Sequence, residues 1–102
     1  MSFPEIAAKS PAFPEAYKAN RYSVLAHGAG MSDEWPAIAF PDVSWSGFGN
    51  DPDVVQERMV MVLEAYVGKE GGAEGVKLGE QFIVTVNGPE VISRAPFDWR
   101  FL

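Results

Sequence analysis

Glu64 is the residue that most invites a chemical reading. It stands inside the apolar run Met59-Val60-Met61-Val62-Leu63-Glu64-Ala65-Tyr66-Val67. A run that is apolar on both faces reads as a buried strand. A carboxylate in such a place is costly unless it is paired, and a metal ion is a common partner for a buried acid. The only histidine, His27, ends another apolar run and opens His27-Gly28-Ala29-Gly30. An imidazole and an interior carboxylate are the start of a metal site, although two donors do not complete one. The plainer alternatives are a hydrogen-bonded structural histidine and a strand-end glutamate reaching water.

The elements that must position these two groups are mostly strands. Residues 22–26 read as a strand running into the glycine turn after His27, and residues 59–67 as the central strand. Gly68-Lys69-Glu70-Gly71-Gly72 makes a turn into a long extended run over residues 76–86. Asn87-Gly88 is a hairpin signal, with residues 91–93 pairing back. Between the two candidate donors lies a long loop over residues 31–52, interrupted by a short strand at 37–40. Its aromatics Trp35, Phe40, Trp45 and Phe48 suggest that it packs on something. Near the start, Ser10-Pro11 and Phe13-Pro14 followed by Glu15 favour a short helix over residues 14–20. Residues 1–13 are expected to be poorly ordered. The class is α+β: one domain over residues 1–102, with antiparallel strands and few helices.

Bulk composition narrows the function. With 102 residues the chain is a single domain. Its 10 Gly and 8 Pro favour strands and turns over a helical bundle. The 14 acidic and 8 basic residues give a net charge of -6, with no Lys/Arg cluster. Nucleic acid and anionic membrane are therefore poor partners. No apolar run reaches membrane-spanning length and the first residues lack a signal-peptide pattern, so a cytoplasmic location is expected. Without Cys there is no disulfide, thiolate nucleophile or Cys-bound zinc. Gly28 and Gly30 lack the third glycine and the following helix of a dinucleotide fingerprint.

Three stretches in order carry a family resemblance: His27-Gly28-Ala29-Gly30-Met31, then Met59-Val60-Met61-Val62-Leu63-Glu64, then Gly75-Val76-Lys77-Leu78 with Glu80-Gln81-Phe82-Ile83-Val84-Thr85 and Asn87-Gly88-Pro89-Glu90-Val91. From about Pro14 onward the chain resembles the C-terminal half of the pita-bread metalloenzymes. These include methionine aminopeptidase, prolidase, Xaa-Pro aminopeptidase, creatinase and an iron-dependent dimethylsulfoniopropionate lyase. The resemblance implies a partial pita-bread fold and a centre of two divalent metals held by two Asp, a His and two Glu. By that comparison His27 is the ligand His and Glu64 the first ligand Glu. The donors suit Mn, Fe, Co or Zn, which would activate a water or polarise a substrate oxygen.

The departures from that pattern shape the expected function. No Asp precedes His27, so the Asp pair is missing. The last ligand Glu should follow Gly75-Val76-Lys77-Leu78 directly, but Gly79 holds that place and Glu80 comes one step later. In a regular strand Val76, Leu78, Glu80, Phe82 and Val84 share one face, and Lys77, Gly79, Gln81 and Ile83 the other. Glu80 serves as a third metal ligand only if a bulge at Gly79 turns it around. Asp33, in Asp33-Glu34-Trp35-Pro36, takes the place where peptidase members carry a second His. It is the candidate catalytic residue, and it places the chain nearer the lyase-like branch than prolidase. Arg58 replaces a turn glycine, and a positive φ there would strain it.

Two functions follow. One is a portion of a metal-dependent Xaa-Pro peptidase-like hydrolase or lyase, with an incomplete active site and little activity alone. The other is a non-catalytic remnant or binding module that joins a partner half. The corresponding partners are a second copy of the chain or a complementary N-terminal half.

Overall fold

The structure is a computed structural model, and it describes residues 1–32, 34–43, 54–98 and 100. The expectations for Trp45, Phe48 and the rest of the loop over 44–53 lie outside the described residues. Five strands form one antiparallel sheet: β1 (Val24–Gly28), β2 (Ala37–Ala39), β3 (Val60–Gly68), β4 (Gly75–Thr85) and β5 (Gly88–Val91). Their order is β2-β1-β3-β4-β5, so the Glu64-bearing strand is the middle one. Helix α1 (Phe3–Lys9) and a 3-10 helix (Glu15–Asn20) complete the α+β architecture, which is consistent with part of a pita-bread fold.

Where the sequence suggests little order over residues 1–13, the chain instead forms α1. A capping box starts it: Glu5 N–H donates to Ser2 Oγ at 3.3 Å, and Ser2 N–H donates to Glu5 Oε2 at 2.7 Å. That satisfies two backbone donors a helix start otherwise leaves open. Phe3 and Ala7, one helical turn apart, are the buried residues of α1. They join Leu25, Ala26, Ile38, Phe40 and Met61 in the core. The long-range apolar burial, invisible in the local sequence, is what orders this segment. Phe13 meets Phe40 edge to face with centroids 5.7 Å apart, and the Arg21 guanidinium lies 4.8 Å above the Phe40 ring. The 3-10 helix packs along β3.

The β3–β4 register is unbroken from Val60 opposite Ile83 to Gly68 opposite Gly75. A register irregularity lies elsewhere, in the β1–β2 pairing between Val24 and Ala26. Because directly opposed residues share a face, this register sorts the sheet. Ala26, Met61, Leu63, Glu80 and Phe82 are on the α1 side. His27, Val62, Glu64, Lys77 and Gly79 are on the other. The expected hairpin is present, with Gly88 at φ 115 opening β5.

Arg58 adopts φ 73 in the turn that delivers the chain into β3. Its N–H donates to Val84 O at 2.8 Å, which ties this conformation to β4. A side chain in the left-handed region costs about 1–2 kcal/mol that glycine does not. Arg58→Gly is therefore expected to raise unfolding free energy by about 1 kcal/mol, less the entropy glycine adds to the unfolded chain. Urea titration checks it, and a variant less stable than the native chain would contradict the strain assignment.

Candidate functional site

The sheet face away from α1 brings the two sequence-nominated donors together. His27 on β1 is opposite Val62, and Glu64 is two residues further along β3, so the pair is a diagonal neighbour across the strands. Long side chains reach across such diagonals. His27 Nε2 and Glu64 Oε2 are 3.2 Å apart. Both atoms are buried, and neither has a partner in hydrogen-bonding geometry.

The tautomer explains why that proximity matters. His27 Nδ1 lies 2.8 Å from the Gly28 carbonyl oxygen. A carbonyl only accepts, so Nδ1 must donate, and in the neutral ring the lone pair then falls on Nε2. That lone pair meets a carboxylate oxygen. Two acceptors at this distance repel unless a proton or a cation joins them. An imidazole oriented by a backbone carbonyl, with its other nitrogen bare, is also the arrangement metal-binding histidines use.

A positive charge is supplied by a residue the sequence analysis did not single out as a site member. Lys77 Nζ lies 3.0 Å from the same Glu64 Oε2. Glu64 is opposite Gly79 on β4, so Lys77 reaches it along the second diagonal. The signal was available in the strand parity, since Lys77 and Gly79 share one face. The ammonium also lies 4.6 Å from the centre of the Tyr22 ring, a cation–π contact. Tyr22 in turn donates its hydroxyl to Glu34 Oε2 at 2.8 Å. Glu34 thereby ties its loop to the start of β1.

Gly28 shapes the other edge of the site. Its N–H donates to Pro36 O at 2.6 Å, and any Cβ there would overlap the Trp35 carbonyl. Only glycine lets the segment at 35–36 lie this close to the strand end that carries His27.

Glu80 does not belong to the site. The β3–β4 register has no bulge at Gly79, so Glu80 stays opposite Leu63 and faces the α1 side. There it lines an apolar hollow with Met61, Leu63, Phe82 and Val91. This corrects its nomination as a third ligand: a one-residue offset in a regular strand reverses the face. Gly79 occupies the position beside Glu64, and a Cβ there would sit 3.5 Å from Val62 Cγ1 and 3.7 Å from Glu64 Cγ. That is ordinary contact, so a side chain at this position would fit. Asp33 lies outside the described residues.

The donor set does not by itself fit a tightly held metal. His27 and Glu64 offer lone pairs toward one point, which suits a cation. Tight divalent sites nevertheless take three or more protein donors. Among the described residues no group of three His, Cys, Asp or Glu side chains comes together to hold one. A lysine ammonium already contacts the carboxylate.

No protein-family model matches the chain. It is similar to part of dimethylsulfoniopropionate lyase DddP of Roseovarius nubinhibens, with 37% identity over 98 residues, which is 96% of this chain and 22% of that protein. It is also similar to dimethylsulfoniopropionate lyase DddP of Roseobacter denitrificans, 34% identical over 95 residues, 93% of this chain and 21% of that protein. The chain thus spans about a fifth of the length of these curated relatives. The likeness supports the lyase-like branch of the pita-bread resemblance. Among the described residues no helix is long and apolar enough to cross a membrane.

The acceptor–acceptor contact yields a stability test. In Glu64→Gln an amide N–H can donate to His27 Nε2, which replaces repulsion by a hydrogen bond. We expect a gain of about 1 kcal/mol in unfolding free energy. Lys77, half-exposed, turns its ammonium to water in exchange. Urea unfolding of the two proteins reads the difference, and a loss of comparable size would contradict the lone-pair assignment.

Proposed function

We propose that this chain is a lyase-like unit of the pita-bread metalloenzymes, belonging to an elimination reaction on a β-sulfonium carboxylate of the dimethylsulfoniopropionate class. The observation that carries this reading is the 37% identity to a dimethylsulfoniopropionate lyase across 96% of the chain. The meeting of His27 and Glu64, the residues the family resemblance nominates, supports it.

The chemistry required is simple to state. A base removes a proton from the carbon next to the carboxylate. The electron pair left behind forms a carbon–carbon double bond as the carbon–sulfur bond breaks. Dimethyl sulfide leaves as a neutral molecule and acrylate remains. Asp33 is the candidate base, on its position in the sequence. A carboxylate does this work near neutral pH when its surroundings raise its proton affinity.

In this reading His27 and Glu64 are the donors that the chain offers to a divalent metal such as Mn, Fe, Co or Zn. The further donors come from a complementary N-terminal half or a second copy. Alone, the chain turns over little or nothing.

The test is headspace measurement of dimethyl sulfide from dimethylsulfoniopropionate with added Fe(II) or Mn(II). We expect no release above background by the purified chain, and release when it is co-expressed with a complementary half that carries the Asp pair. Robust turnover by the chain alone would contradict its incompleteness. Hydrolysis of Xaa-Pro dipeptides by the co-expressed pair, without sulfide release, would replace the lyase reading with a peptidase one.

A further inference from the structure

We propose that Lys77 supplies the positive charge that the His27–Glu64 pair requires, and that its ammonium competes with any divalent cation for the Glu64 carboxylate in this chain. The inference rests on three side chains and a strand register, not on the lyase reading, so either can fail alone.

The geometry carries the argument in three steps. First, His27 Nε2 and Glu64 Oε2 are both buried and lie 3.2 Å apart, so the carboxylate needs a positive partner beside it. Second, the described residues offer one cation at that oxygen, the Lys77 ammonium at 3.0 Å. A divalent ion on Glu64 Oε2 would sit beside this ammonium. Like charges a few ångströms apart repel even in water, more so for a divalent ion and where water is thinned out. Third, Lys77 is held in place. The unbroken register sets its Cα on the Glu64 face, and the Tyr22 ring lies beneath its charge at 4.6 Å.

Position 79 completes the picture. Glycine there contributes no carboxylate, so among the described residues a metal would meet two protein donors and one resident ammonium. The Lys77 side chain is 47% exposed while that of Glu64 is 14% exposed. The lysine can therefore swing out, and exclusion is a competition between cations rather than a steric block.

Mn(II) binding followed by electron paramagnetic resonance and by calorimetry tests this on the full chain. Lys77→Met removes the charge and keeps much of the apolar stem; Lys77→Arg keeps the charge. We expect Lys77→Met to bind Mn(II) at least tenfold more tightly than the native chain, and Lys77→Arg to match the native chain. Adding His27→Ala to Lys77→Met should abolish the gain. Mn(II) should also raise the melting temperature of Lys77→Met and leave that of the native chain unchanged. If Lys77→Met does not fold, Lys77→Gln serves with the same expectation. Equal Mn(II) affinity in the native and charge-removed chains, or a gain that survives loss of His27, would overturn the proposal.

Discussion

A buried glutamate oxygen 3.2 Å from an imidazole nitrogen is the constraint on which the rest of this sheet depends. A carboxylate so placed is costly without a positive partner, which must come from the neighbouring strands. β3 can receive such help from both sides because it is the middle strand of the five. β1 brings the imidazole and β4 brings the ammonium, each along a diagonal of the antiparallel register. The opposite face of the same strands is mainly apolar and joins the core with α1 through Met61 and Ala26, with Glu80 at the margin of that face. The sheet therefore separates a mainly apolar side from a charged side, and the period-two alternation of its strands enforces the division.

Much of this was legible in the residues themselves. The apolar run around Glu64 and the alternation through residues 76–84 announce the two long strands, and Asn87-Gly88 announces the hairpin. Strand parity made a ligand role for Glu80 depend on a bulge at Gly79, and the pairing of Glu64 with Gly79 is regular there. Arg58 in a glycine position signalled the positive φ that the turn adopts. Helix α1 was not legible, because its order comes from burying Phe3 and Ala7 against residues far along the chain. Lys77 was missed for a related reason. A lysine on a half-exposed strand face is usually solvated, and only the cross-strand diagonal reveals that it meets a carboxylate.

The similarity to dimethylsulfoniopropionate lyases and the local chemistry of the site pull in different directions. The similar sequence brings His27 and Glu64 to one point, as a metal-facing wall would require. The same face then has glycine where the resemblance implies a carboxylate, and an ammonium against Glu64. The register that sets these side chains on one face is carried by backbone pairing, so it does not depend on which cation the carboxylate meets.

The most direct test of the account is a crystal structure of the native chain soaked in Mn(II), with anomalous data collected near the manganese edge. The account predicts His27 Nε2 and Glu64 Oε2 facing each other, Lys77 Nζ on the carboxylate, and no anomalous peak between them. A strong peak at that point with Lys77 still in place would contradict the charge assignment. Side chains of His27 and Glu64 pointing apart would contradict the site itself.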